Sequence, residues 1–182
     1  MKTVNINGEI TNEKSIELFE TLLKVDEEYQ NIIDKNNKMA NADDKENLEN
    51  LTINIFTNGG SVWACDAICD KIQDIKEKGI EVITKGYGIV ASAGLVIFMC
   101  GDVRKSGIRT HFMMHGSQVV MCGDLVDVLD RGEFYKKQNE KFFSWLVENT
   151  NITDEMIKEH KGKDWWFDYE EAISLNVVNS NK

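Results

Sequence analysis

Ser92 is the residue whose surroundings best suit covalent chemistry. It lies in the stretch Gly-Ile-Val-Ala-Ser-Ala-Gly at residues 88–94, between a glycine-rich turn and an apolar segment predicted to be a helix. A serine hydroxyl is a weak nucleophile that needs a base, a group that orients the base, and donors for the developing oxyanion. The amino end of a helix favours negative charge at that place. Small residues at the start of a helix are more often structural than catalytic. The hypothesis that Ser92 is a nucleophile therefore depends on finding partner residues elsewhere in the chain.

Three histidines compete for the role of base. His115 follows the apolar residues 112–114 and precedes Gly116, which suits a side chain at a strand end beside a cleft. His160 lies in a polar helical stretch, where solvent exposure is the simplest explanation. His111 and His115 could pair on a metal, but no third ligand cluster accompanies them. We therefore predict no metal, and the hypothesis of a serine nucleophile requires no organic cofactor.

The turn Asn-Gly-Gly-Ser-Val at residues 58–62 is a second candidate element of a site. Paired glycines between a strand and a helix let the backbone approach a ligand and present a free N–H group. A plain strand-to-helix turn is the alternative interpretation. The pattern alone leaves both open.

The spacing of apolar residues predicts alternating strands and helices, and hence a single-domain α/β fold. Strands are predicted at residues 4–6, 51–56, 80–84 and 112–115. Helices are predicted at residues 11–25, 62–75, about 93–100, 124–148, after 153 and 170–175. A glycine turn is predicted at residues 86–88, and residues 29–50 are predicted to be a polar, mobile surface insertion with some helix.

Composition narrows the classes of partner. The chain has 182 residues and a net charge of −10, which argues against nucleic acid because a phosphate backbone is held by clustered Lys and Arg. The start lacks the features of a signal peptide, and the longest apolar run, residues 89–100, is too short to cross a bilayer. We therefore predict a cytoplasmic protein without membrane contact. The four cysteines form no CxxC pair and are predicted to be buried free thiols.

Three segments, residues 58–62, 91–94 and 113–115, resemble the proteolytic subunit of the Clp protease family in order, spacing and context. From Ser92 to His115 the spacing is 115 − 92 = 23 residues, and the similarity runs from about residue 4 to residue 178. One such motif would be weak, but three in register are specific. The resemblance implies a serine endopeptidase that acts on peptides or unfolded protein chains.

The resemblance also assigns roles to residues. Ser92 would attack the peptide carbonyl, His115 would take the proton, and the N–H groups of Gly60 and Ala93 would form the oxyanion hole. Ala93 stands where the family usually has Met, but the oxyanion donor is the backbone N–H group, which does not depend on the side chain. The segments flanking the site would bind an extended peptide by adding it as a strand. These substrate-binding residues are Gly59, Ser61, Val62, Gly116, Ser117 and Gln118.

The third member of the triad has two candidates. Family carboxylates follow a basic residue and lie seven positions ahead of a Glu-Ala pair. Asp164 meets that description, because it follows Lys163 and Glu171 lies 171 − 164 = 7 positions later. Asp168 is the rival, but its capping-box spacing ahead of the last helix gives it a structural role. We predict Asp164.

The family resemblance implies a crotonase-like fold, a spiral of ββα units in which residues 124–148 form a projecting handle helix. It implies a homo-oligomer, a heptameric ring that can stack into a double ring. Typical members have a longer N-terminal segment that contacts an ATPase unfoldase, whereas this chain starts almost at its first strand, so an ATPase partner is left open. Gly116-Ser117 in place of a Gln-Pro pair, with the absence of proline, indicates a divergent branch of phage or prophage type.

Three other functions are compatible with the same residues. A phage-type capsid maturation peptidase would use the triad on a dedicated substrate without an ATPase. A non-catalytic ring or scaffold protein would retain a triad that never aligns. The crotonase fold also supports acyl-CoA chemistry, against which the ordered set of Ser92, His115 and Asp164 counts.

Overall fold

The computed structural model describes residues 2–180. The strands are β1 (Lys2–Asn7), β2 (Leu51–Thr57), β3 (Val82–Ala91), β4 (Val103–Ser106), β5 (His111–Met114) and β6 (Trp165–Phe167). The helices are α1 (Asn12–Asn37), α2 (Val62–Glu77), α3 (Ala93–Met99), α4 (Leu125–Asn149), α5 (Asp154–Glu159) and α6 (Tyr169–Ser174), with a short 3-10 turn at Ala42–Asp44.

One sheet organises the fold. Its order is β1-β2-β3-β5-β6, and β4 pairs with the first half of β3. All pairs are parallel except β5 with β6, which is antiparallel. Strand β2 is buried along most of its length, as expected for a central parallel strand covered on both faces. The α/β prediction is therefore confirmed.

Helix α2 follows its predicted pattern. It begins after Ser61, whose hydroxyl accepts a hydrogen bond from the Ala64 N–H, and its buried apolar residues recur at three- and four-residue intervals. Those residues are Cys65, Ile68, Ile72 and Ile75. This face packs into the core beside the sheet, so α2 holds a fixed position next to the strand ends.

The predicted glycine turn at residues 86–88 is wrong, because strand β3 continues through it. The first half of β3 pairs with β4, the second half pairs with β5, and the register with β2 shifts between Ile55 and Thr57. Gly88 has φ +61°, and a Cβ there would lie 3.0 Å from the Phe56 ring. The glycines therefore let the strand bend and change partner without ending.

Helix α1 is longer than predicted and continues to Asn37 through part of the segment expected to be an insertion. Tyr29 is fully buried and its hydroxyl donates to the Glu49 carbonyl at 2.9 Å. One buried aromatic residue thus anchors a stretch whose composition is otherwise polar.

The predicted handle helix is present as α4. Among the described residues of α4, Leu146 is buried, whereas Leu125, Val126 and Leu129 near its start are 71%, 73% and 62% exposed. The carboxyl end of α4 therefore packs on the core, and its amino end projects. No helix within residues 2–180 is both long and apolar enough to span a membrane.

The four cysteines are free, but the prediction that all are buried is wrong: Cys122 is exposed, and Cys69 and Cys100 are only partly covered.

Candidate active site

Ser92 sits at the junction between strand β3 and helix α3. Its backbone has φ 54° and ψ −125°, a left-handed conformation that is rare for a residue with a side chain. Its N–H donates to the Met113 carbonyl at 2.9 Å, which fixes the junction against β5. Such strain persists only where the surroundings impose it, and a serine on a sharp strand-to-helix turn presents its hydroxyl to the cleft.

Gly59 makes room for this conformation. A Cβ on Gly59 would lie 2.7 Å from the Ser92 Cβ and 2.8 Å from the Ala91 carbonyl oxygen. Gly59, predicted to bind substrate, therefore lies directly against the serine and allows the two backbones to approach.

His115 reaches Ser92. Its Nε2 lies 2.9 Å from the Ser92 Oγ, a hydrogen-bond distance. The contact follows from the parallel pairing of β3 with β5, in which Ala91 is level with Met113, so both strands deliver their next residues to the same edge of the sheet. The other histidines are engaged elsewhere: His111 starts β5, and His160 stacks on Trp165 with ring centroids 4.1 Å apart.

The second ring nitrogen of His115 is buried and has no hydrogen-bond partner within residues 2–180. Asp164 is exposed and stands one residue before β6. The structure therefore shows no hydrogen bond between Asp164 and His115.

The register of β5 and β6 nonetheless bears on the choice of carboxylate. Phe112 pairs with Phe167, Met113 with Trp166 and Met114 with Trp165, and the pairing ends there. His115 follows Met114 and Asp164 precedes Trp165, so both residues adjoin the last pair of the ladder. Asp168 is instead the N-cap of α6, where its Oδ1 accepts from the Glu171 N–H at 3.0 Å in a capping box.

Two backbone donors flank the serine. A bridge between Ile10 and Gly60 uses the Gly59 carbonyl and the Ser61 N–H, and leaves the Gly60 N–H outside it. Ala93 is the first residue of α3, where N–H groups have no intrahelical acceptor. Gly60 and Ala93 both line the cavity that contains Ser92 and His115.

That cavity has a volume of about 1260 Å³ and runs between helices α2, α3 and α4. Four of the residues predicted to bind substrate line it: Val62, Gly116, Ser117 and Gln118. Ser61 instead caps α2. Among residues 2–180, no three His, Cys, Asp or Glu side chains are grouped as a metal site would require.

Sequence reasoning missed two parts of this cavity. Asn139 of α4 accepts a hydrogen bond on its Oδ1 from the Ser117 N–H at 2.8 Å. Trp63 of α2 stacks on Phe134 of α4 at 6.1 Å between ring centroids. A polar residue in the core-facing half of a long helix is a weak pattern that could have indicated Asn139. The aromatic contact joins residues 71 positions apart, and no local sequence pattern predicts it.

Comparison with known proteins gives the wider context. The family model described as Clp protease matches residues 1–180. The chain belongs to the Clp protease family. Among curated relatives, ATP-dependent Clp protease proteolytic subunit 2 of Pseudomonas aeruginosa is 33% identical over 135 residues, covering 70% of this chain and 64% of that protein. Proteolytic subunit 3 of Rhizobium etli is 29% identical over 133 residues, covering 72% and 67%.

Among solved structures, a mutant of ClpP1 from Listeria monocytogenes superposes with a TM-score of 0.77 at 26% identity. The match covers all of this Clp protease family chain and 91% of that one. The predicted family and fold class, a crotonase-like fold with a handle helix, are thereby confirmed. The match to the Pseudomonas relative spans 64% of that protein's length, just under two thirds.

Proposed function

We propose that this chain is a serine endopeptidase that hydrolyses peptides or unfolded protein chains. The observation that carries the proposal is the 2.9 Å contact between His115 Nε2 and Ser92 Oγ, formed by a serine in a left-handed conformation at a strand-to-helix turn. Membership of the Clp protease family supports a peptidase function.

In the proposed reaction, Ser92 Oγ attacks the peptide carbonyl carbon while His115 Nε2 takes the hydroxyl proton. The carbonyl oxygen becomes an oxyanion and accepts hydrogen bonds from the N–H groups of Gly60 and Ala93. His115 then donates its proton to the departing amine, which leaves an acyl-enzyme. Water attacks that ester with His115 again as the base, and the carboxylic acid product leaves as Ser92 regains its proton.

We assign Asp164 as the carboxylate that orients His115. Within residues 2–180 the buried Nδ1 of His115 has no hydrogen-bond partner, and Asp164 directly precedes the strand that pairs with β5, which supports the assignment. In the proposed triad the Asp164 carboxylate moves to accept a hydrogen bond from Nδ1, because catalytic hydrogen bonds can be long in a free enzyme and tighten when substrate binds.

We further propose a cytoplasmic homo-oligomer, a heptameric ring that can stack into a double ring and encloses the sites in a chamber. The exposed apolar start of α4, with Leu125, Val126 and Leu129, supports assembly through the handle helix. The curated relatives are named ATP-dependent. An ATPase partner for this chain is thus a hypothesis, tested by whether an unfoldase accelerates protein degradation without changing the cleavage of short peptides.

The deciding experiment is labelling of the assembled protein with a fluorophosphonate, followed by intact mass and peptide mapping. We expect one adduct on Ser92, absent from Ser92→Ala and retained in Ser144→Ala, which removes an exposed serine of α4. Cleavage of a fluorogenic peptide should be lost in Ser92→Ala alone. Folded oligomer that neither reacts at Ser92 nor cleaves peptides would overturn the proposal and favour a non-catalytic ring or scaffold protein.

A further inference from the structure

The cavity that contains Ser92 continues along helix α2, where it has an acidic wall. Asp66 and Asp70 lie one helical turn apart on α2 and both line the cavity. At ~1.5 Å rise per residue, Asp66 lies roughly 6 Å along the helix from Val62, the first residue of α2 after the Gly60–Ser61 turn. A long side chain of a bound peptide can reach that distance from the scissile bond.

The other charged residues of the cavity leave this acidic wall unbalanced. Lys76 pairs with Asp102 at 2.8 Å, and the buried Arg104 donates to the carbonyls of Val177 and Asn176 at 2.8 Å each. Within residues 2–180, neither Asp66 nor Asp70 forms an ion pair. Besides the Lys76–Asp102 pair, the cavity lining carries three carboxylates, on Glu9, Asp66 and Asp70, and two cationic side chains, Arg104 and Lys141. Hydrogen bonds to carbonyl groups do not neutralise Arg104, so the carboxylates outnumber the cations by three to two.

The pKa of Asp66 reflects the same imbalance. Burial, followed by the negative charge of Asp70, raises the pKa of the Asp66 carboxyl above its ordinary value. A cation bound between the two carboxylates would favour their charged forms and offset this penalty.

Aromatic rings lie next to the acidic wall. Trp63, three residues before Asp66 on α2, is 59% exposed and stacks on Phe134 with an interplanar angle of 24°. Tyr135 completes the group, with its ring centroid 6.4 Å from that of Trp63. Large aromatic rings left exposed in an active-site cavity offer flat faces on which a ligand can stack. The guanidinium of arginine is planar, stacks on such faces and binds carboxylates with several donors, whereas the ammonium of lysine is a compact charge.

We propose that Trp63, Asp66 and Asp70 form a specificity site that selects peptides with an arginine side chain close to the scissile bond. The inference rests on the proposed peptidase function, because it takes the cavity to be where the peptide binds. Arginine would extend along the α2 wall, with its guanidinium on the Trp63 ring and its donors on the two carboxylates. Lysine would be accepted less well, and a neutral side chain least.

The test measures binding to the Ser92→Ala variant, so that turnover is not needed. Fluorescence polarisation would compare dye-labelled peptides that carry one arginine, one lysine, or one citrulline, which has the shape of arginine without its charge. The residue would be moved through successive positions. We expect a position at which the arginine peptide binds about tenfold more tightly than the citrulline peptide. Raising the salt concentration should reduce that difference.

Substitutions test whether the preference for arginine depends on the acidic wall formed by Asp66 and Asp70. In the Ser92→Ala background, Asp66→Asn with Asp70→Asn should abolish the preference for arginine over citrulline. Glu77→Gln removes a charge from the same helix outside the cavity and should leave the preference intact. Trp63→Leu should remove the preference for arginine over lysine and keep the preference for charge.

Equal binding of the arginine and citrulline peptides at every position, or binding of neither, would overturn the inference. So would an arginine preference that survives the double substitution. These outcomes are separate from those of the proposed function. If the protein reacts with the fluorophosphonate and cleaves peptides but shows no preference for arginine, only the specificity site is refuted. If it binds arginine peptides selectively but never reacts at Ser92, only the peptidase proposal is refuted.

Discussion

The Cys65 thiol donates a hydrogen bond to the Ala93 carbonyl oxygen across 3.3 Å, so helix α2 directly contacts the residue that follows Ser92. Cys65 is 2% exposed and belongs to the core face of α2. Ala93 is therefore held on its carbonyl side by the thiol, while its amide side continues from the turn at Ser92. In the proposed mechanism Cys65 would act through Ala93, as a positioning residue.

We expect Cys65→Val to lower kcat by about fivefold or less, because a thiol is a weak donor whose loss shifts the Ala93 N–H without removing it. Cys65→Ser keeps a donor of similar size and should restore kcat. Cys122→Ser changes an exposed cysteine and serves as the control. Steady-state kinetics on a fluorogenic peptide would separate kcat from KM. Equal kcat for the valine and serine variants would contradict the role.

Asp164 and Asp168 should differ in what their substitution affects. Asp164→Asn should lower kcat by about 10²–10⁴-fold, because a neutral partner no longer orients His115 or stabilises its charged form. Asp168→Ala should leave kcat nearly unchanged and lower the free energy of unfolding by about 1 kcal/mol through loss of the N-cap of α6. Peptidase kinetics and urea denaturation of both variants check the pair. The reverse outcome would make Asp168 the triad member.

Peptidase activity should require glycine at position 60, because the backbone there lies very close to Ile10. A Cβ at Gly60 would lie 2.3 Å from the Ile10 carbonyl oxygen, so Gly60→Ala must displace the backbone that carries the proposed oxyanion donor. We expect kcat to fall about 10²-fold or more. Gly79 also has a positive φ, +80°, but no atom lies within 4 Å of its Cβ position. Gly79→Ala should therefore lower stability slightly and keep full kcat, and similar kinetics for the two variants would refute the argument.

The family resemblance allowed the prediction that Ser92 and His115 are partners, and the structure brings them together because they follow two parallel, paired strands. The sequence did not allow the prediction of β6, because residues 165–167 form only three pairs and owe their conformation to β5. The end of α1 was placed too early for a related reason. Tyr29 is buried through its contact with the chain at Glu49, which local composition does not reveal.

The cavity wall was missed for a further reason. Trp63 and Phe134 meet because α4 crosses the mouth of the site, and the direction of a long helix depends on its packing at one end, near Leu146. Periodicity predicts that such a helix exists, but it carries no information about what the exposed face lies against.

Asn139 should position the segment that follows His115. Its side chain accepts the Ser117 N–H at 2.8 Å, so Asn139→Leu would leave that partly buried donor without a partner. We expect kcat/KM to fall about tenfold, and Asn139→Asp, which keeps an acceptor, to recover most of it. Gln138→Leu alters the neighbouring residue of the cavity lining and should have a smaller effect. Failure of the aspartate variant to recover activity would argue against the hydrogen bond as the cause.

Tyr29 should make stability depend on pH in the alkaline range. Burial, followed by the negative charges of Glu49 and Glu28, raises the pKa of Tyr29 to about 12. In the unfolded chain the pKa is about 10. Below pH 10 the phenol of Tyr29 is neutral in both the folded protein and the unfolded chain, so its full contribution to the stability of the fold is present. As the pH rises from about 10 towards 12, the unfolded state ionises first and becomes relatively more stable.

The contribution of Tyr29 to stability is the difference in the free energy of unfolding between the native protein and the Tyr29→Phe variant. Tyr29→Phe removes both the ionisable group and the hydrogen bond to Glu49, which should lower the free energy of unfolding by about 1 kcal/mol at pH 8. The difference between the native protein and this variant should shrink as the pH is raised above about 10. Tyr87→Phe changes a tyrosine that is 49% exposed and serves as the control. Urea denaturation of the three proteins at a series of pH values measures all of these quantities. A Tyr29→Phe difference that stays constant above pH 10 would mean that the phenol ionises as readily in the folded protein as in the unfolded chain.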